Sequence, residues 1–318
     1  MTLKNILQQL NIFAESKRYK IPLWQCPSFL FVIMGAIIIG AMLTTYYIGI
    51  HYFTPEMLIV VLGTTTIVLL IVGHTIVASF ERIAQANRMK SEFVSIVSHQ
   101  LRTPLSSLRW SLDLLRGGRL GEVNKKQEEY LNIVNESNNR MIDLVNDLLN
   151  VNRIEEGRFE IKPEMFSIES LSEEVIEELR PIANKSGVVI NLYKDKNIPS
   201  TYADPNRIRM VVENLIDNAI KYSKKDIKDK FINVGLKQEK DEIRFSVEDN
   251  GIGIPAILQK QVFGKFFRGD NLIKQKVEGT GLGLFIAKGI INLSGGEIGF
   301  KSTEGQGSTF WFTLPIKK

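Results

Sequence analysis

Two long apolar runs, about Ser28–Ile50 and Met57–Val77, constrain this chain most, because neither carries a formal charge. At 1.5 Å per residue each is long enough to cross a hydrocarbon core of about 30 Å as a helix. Residues 28–77 are therefore expected to form two transmembrane helices joined by a short external loop. That link, His51 to Glu56, is too short for an external ligand-binding domain. Lys4, Lys17, Arg18 and Lys20 precede the pair, and Arg82, Arg88 and Lys90 follow it. Positive residues on both flanks are expected to place both termini of a multi-pass protein on the cytoplasmic side of its membrane. The first run starts too late and is too long for a cleaved signal peptide. Residues 1–27 are expected to be a cytoplasmic segment. Leu3, Ile6, Leu7 and Leu10 there fit a helix lying on membrane lipid or a plain docking helix.

The chain has 318 residues, enough for two or three folded units. A pI near 9.1 would suit a nucleic-acid partner. The Lys and Arg are instead scattered or flank the apolar runs, which fits a membrane-bound protein and no nucleic acid. Cys26 is the only cysteine, so an internal disulfide and a Cys-based metal cluster are both excluded. His51, His74 and His99 show no metal-ligand spacing.

Residues 78–92 contain no Pro or Gly and are expected to be a coupling helix continuing the second span. Ile76, Phe80, Ile83, Val94 and Val97 keep a seven-residue rhythm, as in an imperfect coiled coil. Apolar residues then recur at Leu101, Leu105, Leu108, Leu112 and Leu115, a seam for a partner helix. His99 lies about 140° from the centre of that seam and should project to solvent. Pro104 removes the hydrogen bond to the carbonyl of Gln100 and should kink the helix beside His99. Gly117-Gly118 is a strong stop signal. After Gly121 a second helix should run to about Glu155, with Tyr130, Val134, Met141, Leu144, Leu148 and Val151 as its stripe. Residues 93–156 thus read as a helical hairpin. Pairing two hairpins across a twofold axis gives a homodimeric four-helix bundle; packing on the hairpin's own second domain is the other option.

From Gly157 to residue 318 the texture changes to alternating strands and helices. Phe159–Ile161, Val188–Tyr193, Phe231–Leu236, Glu242–Glu248, Glu297–Lys301 and Ser308–Leu314 read as strands. Asp204-Pro205 is a cap followed by a proline that opens a helix to about Tyr222. Asn214, Asn218 and Lys221 form a ridge on that helix, where amides can ligate a hard cation and a lysine can meet phosphate. Asp249-Asn250-Gly251-Ile252-Gly253-Ile254-Pro255 directly follows a strand. Its glycines let a flat ligand approach, and Asp249 can accept a hydrogen bond from an exocyclic amine. Gly279-Thr280-Gly281-Leu282-Gly283-Leu284 opens a helix whose free N–H groups favour phosphate. Between them lies Val262-Phe263-Gly264-Lys265-Phe266-Phe267-Arg268. A Walker A loop is absent, and the spacing is not that of a Rossmann fingerprint.

In this order the motifs resemble those of a bacterial membrane-bound sensor histidine kinase. Ser98–Leu105 is similar to the phosphoacceptor box, Glu213–Tyr222 to the N box, Asp249–Pro255 and Gly279–Leu284 to the glycine boxes, and Phe263–Arg268 to the F box. The resemblance implies a dimerisation and phosphotransfer hairpin followed by an α/β sandwich of the Bergerat type. It implies ATP and Mg²⁺ as cofactors, autophosphorylation of His99, and transfer to an Asp of a cytoplasmic response regulator. It further implies that Asn218 ligates Mg²⁺, Asn214 supports the metal–phosphate region, Lys221 meets phosphate, Tyr222 walls the pocket and Asp249 reads adenine. Gly251, Gly253, Phe263, Phe266, Gly279, Thr280, Gly281, Leu282, Gly283 and Leu284 are the remaining nucleotide-binding positions. Arg268 would stabilise charge on the transferred phosphoryl group, and Thr103 would orient water in regulator dephosphorylation.

Two departures stand out. Gln100 replaces the acidic residue usually found after the phosphoacceptor histidine, which keeps open a regulator phosphatase or a nucleotide-gated scaffold with weak kinase activity. No HAMP, PAS or external sensor module fits between the second span and His99, as in small intramembrane-sensing kinases. Input would then come from the bilayer or from another membrane protein.

Overall fold

The computed structural model describes residues 27–117, 119, 121–224, 227–267 and 279–316. The helix expected within the first 26 residues, Gly118 and Arg268 lie outside them. The chain separates into two units, up to Ile96 and from Val97 onward.

In the first unit, helix α1 (Pro27–Tyr52) is followed by Phe53 and Thr54, and Pro55 then opens helix α2 (Pro55–Arg116). A proline suits the first helical position because its missing N–H would have no partner there. Both helices are long and apolar enough to cross a membrane. They pack through glycines: a Cβ on Gly49 would meet Leu58 at 2.3 Å, and one on Gly73 would meet Met34 at 2.6 Å. Leu43, Ile59, Val60 and Ile71 point outward and are exposed.

The second unit begins within α2, which stops at Arg116 as the glycine pair predicts. Pro104 sits inside the helix. Helix α3 (Lys125–Glu155) starts on a capping box: Asn124 accepts from the Gln127 N–H, and the Gln127 side chain accepts from the Asn124 N–H. This reciprocal cap fixes the helix start four residues beyond Gly121. Across the hairpin Arg102 donates to Asn146 at 3.0 Å, and Asn138 donates to the Leu105 carbonyl at 3.2 Å. Leu112, Val145 and Leu149 are buried, while Leu101, Leu108, Leu115, Val134 and Met141 remain exposed within one chain.

The C-terminal domain is built on a five-stranded mixed sheet in the order β2-β4-β5-β7-β6. Its strands are β2 (Val188–Lys194), β4 (Lys230–Glu239), β5 (Glu242–Asp249), β6 (Ile298–Thr303) and β7 (Gly307–Pro315). Only β2 and β4 pair in parallel; the other pairs are antiparallel. Strict alternation along β4 and β5 buries Ile232, Val234 and Leu236, then Ile243, Phe245 and Val247. Helices α4 (Ile168–Lys185), α5 (Pro205–Lys221) and α6 (Gly283–Leu293) contribute the facing core, including Val175, Leu215 and Ile290. Phe245 stacks on Phe312 at 4.9 Å in its centre. A separate two-stranded ribbon pairs β1 (Glu164–Phe166) with β3 (Thr201–Ala203).

Most expected strands form within a residue or two; Phe159–Ile161 does not. Phe159 is buried in the core with the Arg207 guanidinium 4.7 Å above its ring, so its apolar character serves packing rather than a ladder. The first strand forms instead at β1, and the three-residue β3 has too little pattern to be read in sequence.

Candidate functional site

Asp204 caps α5 by accepting from the N–H groups of Asn206 and Arg207. That start sets the helix phase. Ile208, Val211, Val212, Leu215 and Ala219 turn into the core, and Asn214, Asn218 and Lys221 line an open cleft of about 1200 Å³. Asn218 donates its side-chain N–H to Oδ1 of Asn214 at 3.1 Å, which leaves the Asn218 carbonyl oxygen aimed elsewhere. An amide oxygen fixed in this way suits a hard divalent cation. Asn214 in turn lies against α6, where a Cβ on Gly283 would sit 2.0 Å from its amide nitrogen.

The first glycine box closes the far wall. Asp249 ends β5, and its Oδ1 accepts from the Gly251 N–H at 2.8 Å and the Ser308 N–H at 3.3 Å. Burial pushes its carboxyl up to about 6, against the pull of those two N–H groups. Gly251 is tucked under α5: the Ile252 N–H donates to the Tyr222 carbonyl, and a Cβ on Gly251 would lie 2.4 Å from that oxygen. Gly253 has φ +66, with Thr303 backbone 2.0 Å from where a Cβ would stand.

The second glycine box enters α6. Gly281, φ +70, packs against the backbone of Phe266 and Phe267. Phe266 itself has φ +56 and is exposed. Thr280 Oγ1 accepts from the Leu282 N–H at 3.2 Å and donates to Oδ2 of Asp147 on α3 at 2.8 Å. Burial raises the pKa of the Asp147 carboxyl from its ordinary value, opposed by the Thr280 hydroxyl and reinforced by Asp143.

The cleft thus gathers Asn214, Asn218, Lys221, Tyr222, Asp249, Gly253, Gly279, Thr280, Gly281, Gly283 and Leu284. Gly251 stands behind it, Leu282 is wholly buried, Phe263 packs edge-on against Phe300 at 5.8 Å, and Phe266 faces outward. His99, Gln100 and Thr103 sit exposed on α2, outside the lining. Sequence reasoning missed the contribution of the hairpin: Arg140, Asp143, Leu144 and Asp147 of α3 also line the cleft. It also missed Lys224, whose ammonium donates to the Gly305 carbonyl at 2.5 Å.

Comparison with known proteins agrees with this arrangement. Residues 89–157 match the His Kinase A (phospho-acceptor) domain, and residues 203–318 match the histidine kinase-, DNA gyrase B- and HSP90-like ATPase. The chain is 34% identical over 232 residues to the circadian input-output histidine kinase CikA of Synechococcus elongatus, which covers 72% of this chain and 30% of that protein. It is 33% identical over 238 residues to the signal transduction histidine-protein kinase BarA of Escherichia coli, covering 74% and 26% respectively. It therefore spans about a third or less of these relatives. The crystal structure of full-length ShkA in complex with AMPPNP superposes with a TM-score of 0.61 at 28% identity, covering 71% of this chain and 46% of that one. With a phosphoacceptor-type hairpin carrying an exposed His99 and an ATPase-type domain in sequence, the chain belongs to the histidine kinase family.

Proposed function

We propose that the chain is the membrane-bound sensor kinase of a two-component system. The observation that carries this reading is the pairing of an exposed His99 on the hairpin with a cleft built from the N-box amides and both glycine boxes. ATP binds in the cleft with adenine against Asp249, Tyr222 on the wall, and phosphates toward Asn214, Lys221 and the second glycine box. The side-chain oxygen of Asn218 would hold a Mg²⁺ ion, which would supply positive charge to the phosphate oxygens. An imidazole nitrogen of His99 attacks the γ-phosphorus. The bond to the β–γ bridging oxygen breaks, ADP leaves, and the ring proton passes to solvent or a neighbouring acceptor. The phosphoryl group then moves to an aspartate of a cytoplasmic response regulator.

The remaining assignments follow. Residues 28–77 cross the membrane, 78–92 couple to the hairpin of 93–156, and 157–318 bind nucleotide. The exposed leucines of the hairpin meet a second copy in a four-helix bundle. Gln100 favours a second reading, in which regulator dephosphorylation through Thr103 outweighs slow autophosphorylation.

The test is incubation of the full chain with γ-labelled ATP, Mg²⁺ and candidate regulators. Acid-labile label on the parent, none on His99→Ala with nucleotide binding intact, and none on Asn218→Ala with weakened binding are expected. Label persisting on His99→Ala would overturn the assignment.

A further inference from the structure

Asp147 belongs to the hairpin, yet it reaches into the cleft. Its Oδ2 accepts from the Thr280 hydroxyl at 2.8 Å, and the same hydroxyl oxygen accepts from the Leu282 N–H at 3.2 Å. Leu282 is the cap residue of α6, an 11-residue helix. A carboxylate is thereby wired through one hydroxyl to the positive end of that helix. Asp143, one turn earlier on α3, also faces the cleft. Two contacts outside the cleft hold α3 in place. Lys265 pairs with Glu155, and Gly289 of α6 leaves room for Ile154, where a Cβ would stand 2.8 Å away. Arg140 of the same helix also lines the cleft, so the hairpin adds two carboxylates against one guanidinium, a net negative charge, to the part of the cleft that, on the reading above, receives a triphosphate.

We propose that Asp147 is an electrostatic competitor of the nucleotide phosphates, so that docking of α3 on the second glycine box lowers nucleotide affinity. By reciprocity, a bound nucleotide loosens that docking to the same degree. Any input that turns or shifts α3 is then read at the cleft as a change in affinity. This rests on the nucleotide reading, and the test separates the two.

The experiment measures binding of a non-hydrolysable ATP analogue to the detergent-solubilised full chain, with and without Mg²⁺. Asp147→Asn keeps an oxygen for the Thr280 hydroxyl and loses the charge. Its affinity should rise by about tenfold for metal-free nucleotide, and less with Mg²⁺, which already screens the phosphates. Asp147→Glu keeps the charge and should stay as weak as the parent. Glu155→Gln loosens the docking without entering the cleft and should also raise affinity, less than additively with Asp147→Asn. Equal or weaker binding by Asp147→Asn, or by Glu155→Gln, would overturn the proposal. So would weaker binding of the Mg²⁺–nucleotide by Asp147→Asn than by the parent, which would make the carboxylate a servant of the metal. A parent chain that binds no nucleotide at all overturns the nucleotide reading itself.

Discussion

The ammonium of Lys221 lies 2.5 Å from Oδ2 of Asp217, one turn earlier on α5. The lysine expected at the phosphates is therefore held by a carboxylate on its own helix, and that carboxylate also lines the cleft. A phosphate must draw the cation away from Asp217. Lys221→Met should weaken binding of ATP several-fold while leaving binding of adenosine unchanged. Competition titrations with the two ligands check this; equal losses would place Lys221 away from the phosphates.

Asp249 makes a pH prediction with a definite sign. Its carboxyl titrates near 6, above its ordinary value of 3.8. The native state therefore holds a proton that the unfolded chain has released between about pH 4 and 6, so stability falls as pH rises through that window. The ionised group costs folding on the order of 3 kcal/mol above it. Asp249→Asn keeps an acceptor for Gly251 and Ser308 and should raise the melting temperature at pH 7.5. It should also lose nucleotide affinity by at least about tenfold. In the parent, affinity should fall as pH drops through 6, because the protonated carboxyl is a poorer acceptor for adenine. Calorimetric melting and binding series across pH 5–8 measure both effects.

Gln100 and His99 are neighbours on the exposed face of α2. An amide oxygen at this position can orient the imidazole ring but cannot stabilise the positive charge that develops on it. Gln100→Glu should raise the single-turnover rate of His99 phosphorylation on the order of tenfold, a share of the usual general-base effect, with ATP affinity unchanged. An unchanged or slower rate defeats the charge argument.

Helix α2 runs from Pro55 to Arg116 as one element of 62 residues. One residue inserted near Ala86 turns everything downstream by about 100°. It should shift basal phosphorylation, and a seven-residue insertion should largely restore it. Identical output from insertions of one to seven residues would show that no rotational signal passes.

Gly253 combines φ +66 with Thr303 backbone where a side chain would stand. Gly253→Ala should destabilise the C-terminal domain by about 2 kcal/mol or more, read as a drop in its melting temperature.

The parts of this architecture that were legible in sequence are those governed by local rules. Asp204-Pro205 caps α5 as its chemistry dictates, and the apolar periodicity of that helix fixes which residues enter the core and which line the cleft. The glycine boxes announced themselves because positive φ at Gly253 and Gly281, and close approach at Gly283, admit no other residue comfortably. What was hidden depends on tertiary docking. Asp147 reads in sequence as one more acid on the polar face of a helix, and only the packing of α3 against α6 brings it to Thr280. Phe159 misled for the same reason. A buried aromatic beside a basic residue has the composition of a strand, and its actual partner, Arg207, lies 48 positions later.

Strand β7 occupies the sheet between β5 and β6, although it is the last strand in chain order. During synthesis β5 must wait with an open edge, and β6 has no neighbour, until residues 307–315 leave the ribosome. The Ser308 N–H that helps to hold Asp249 arrives with the same strand. The domain is thus completed by its final segment. Ser308 and Phe310 of that strand also line the cleft, so a nascent chain cannot present a finished cleft before then.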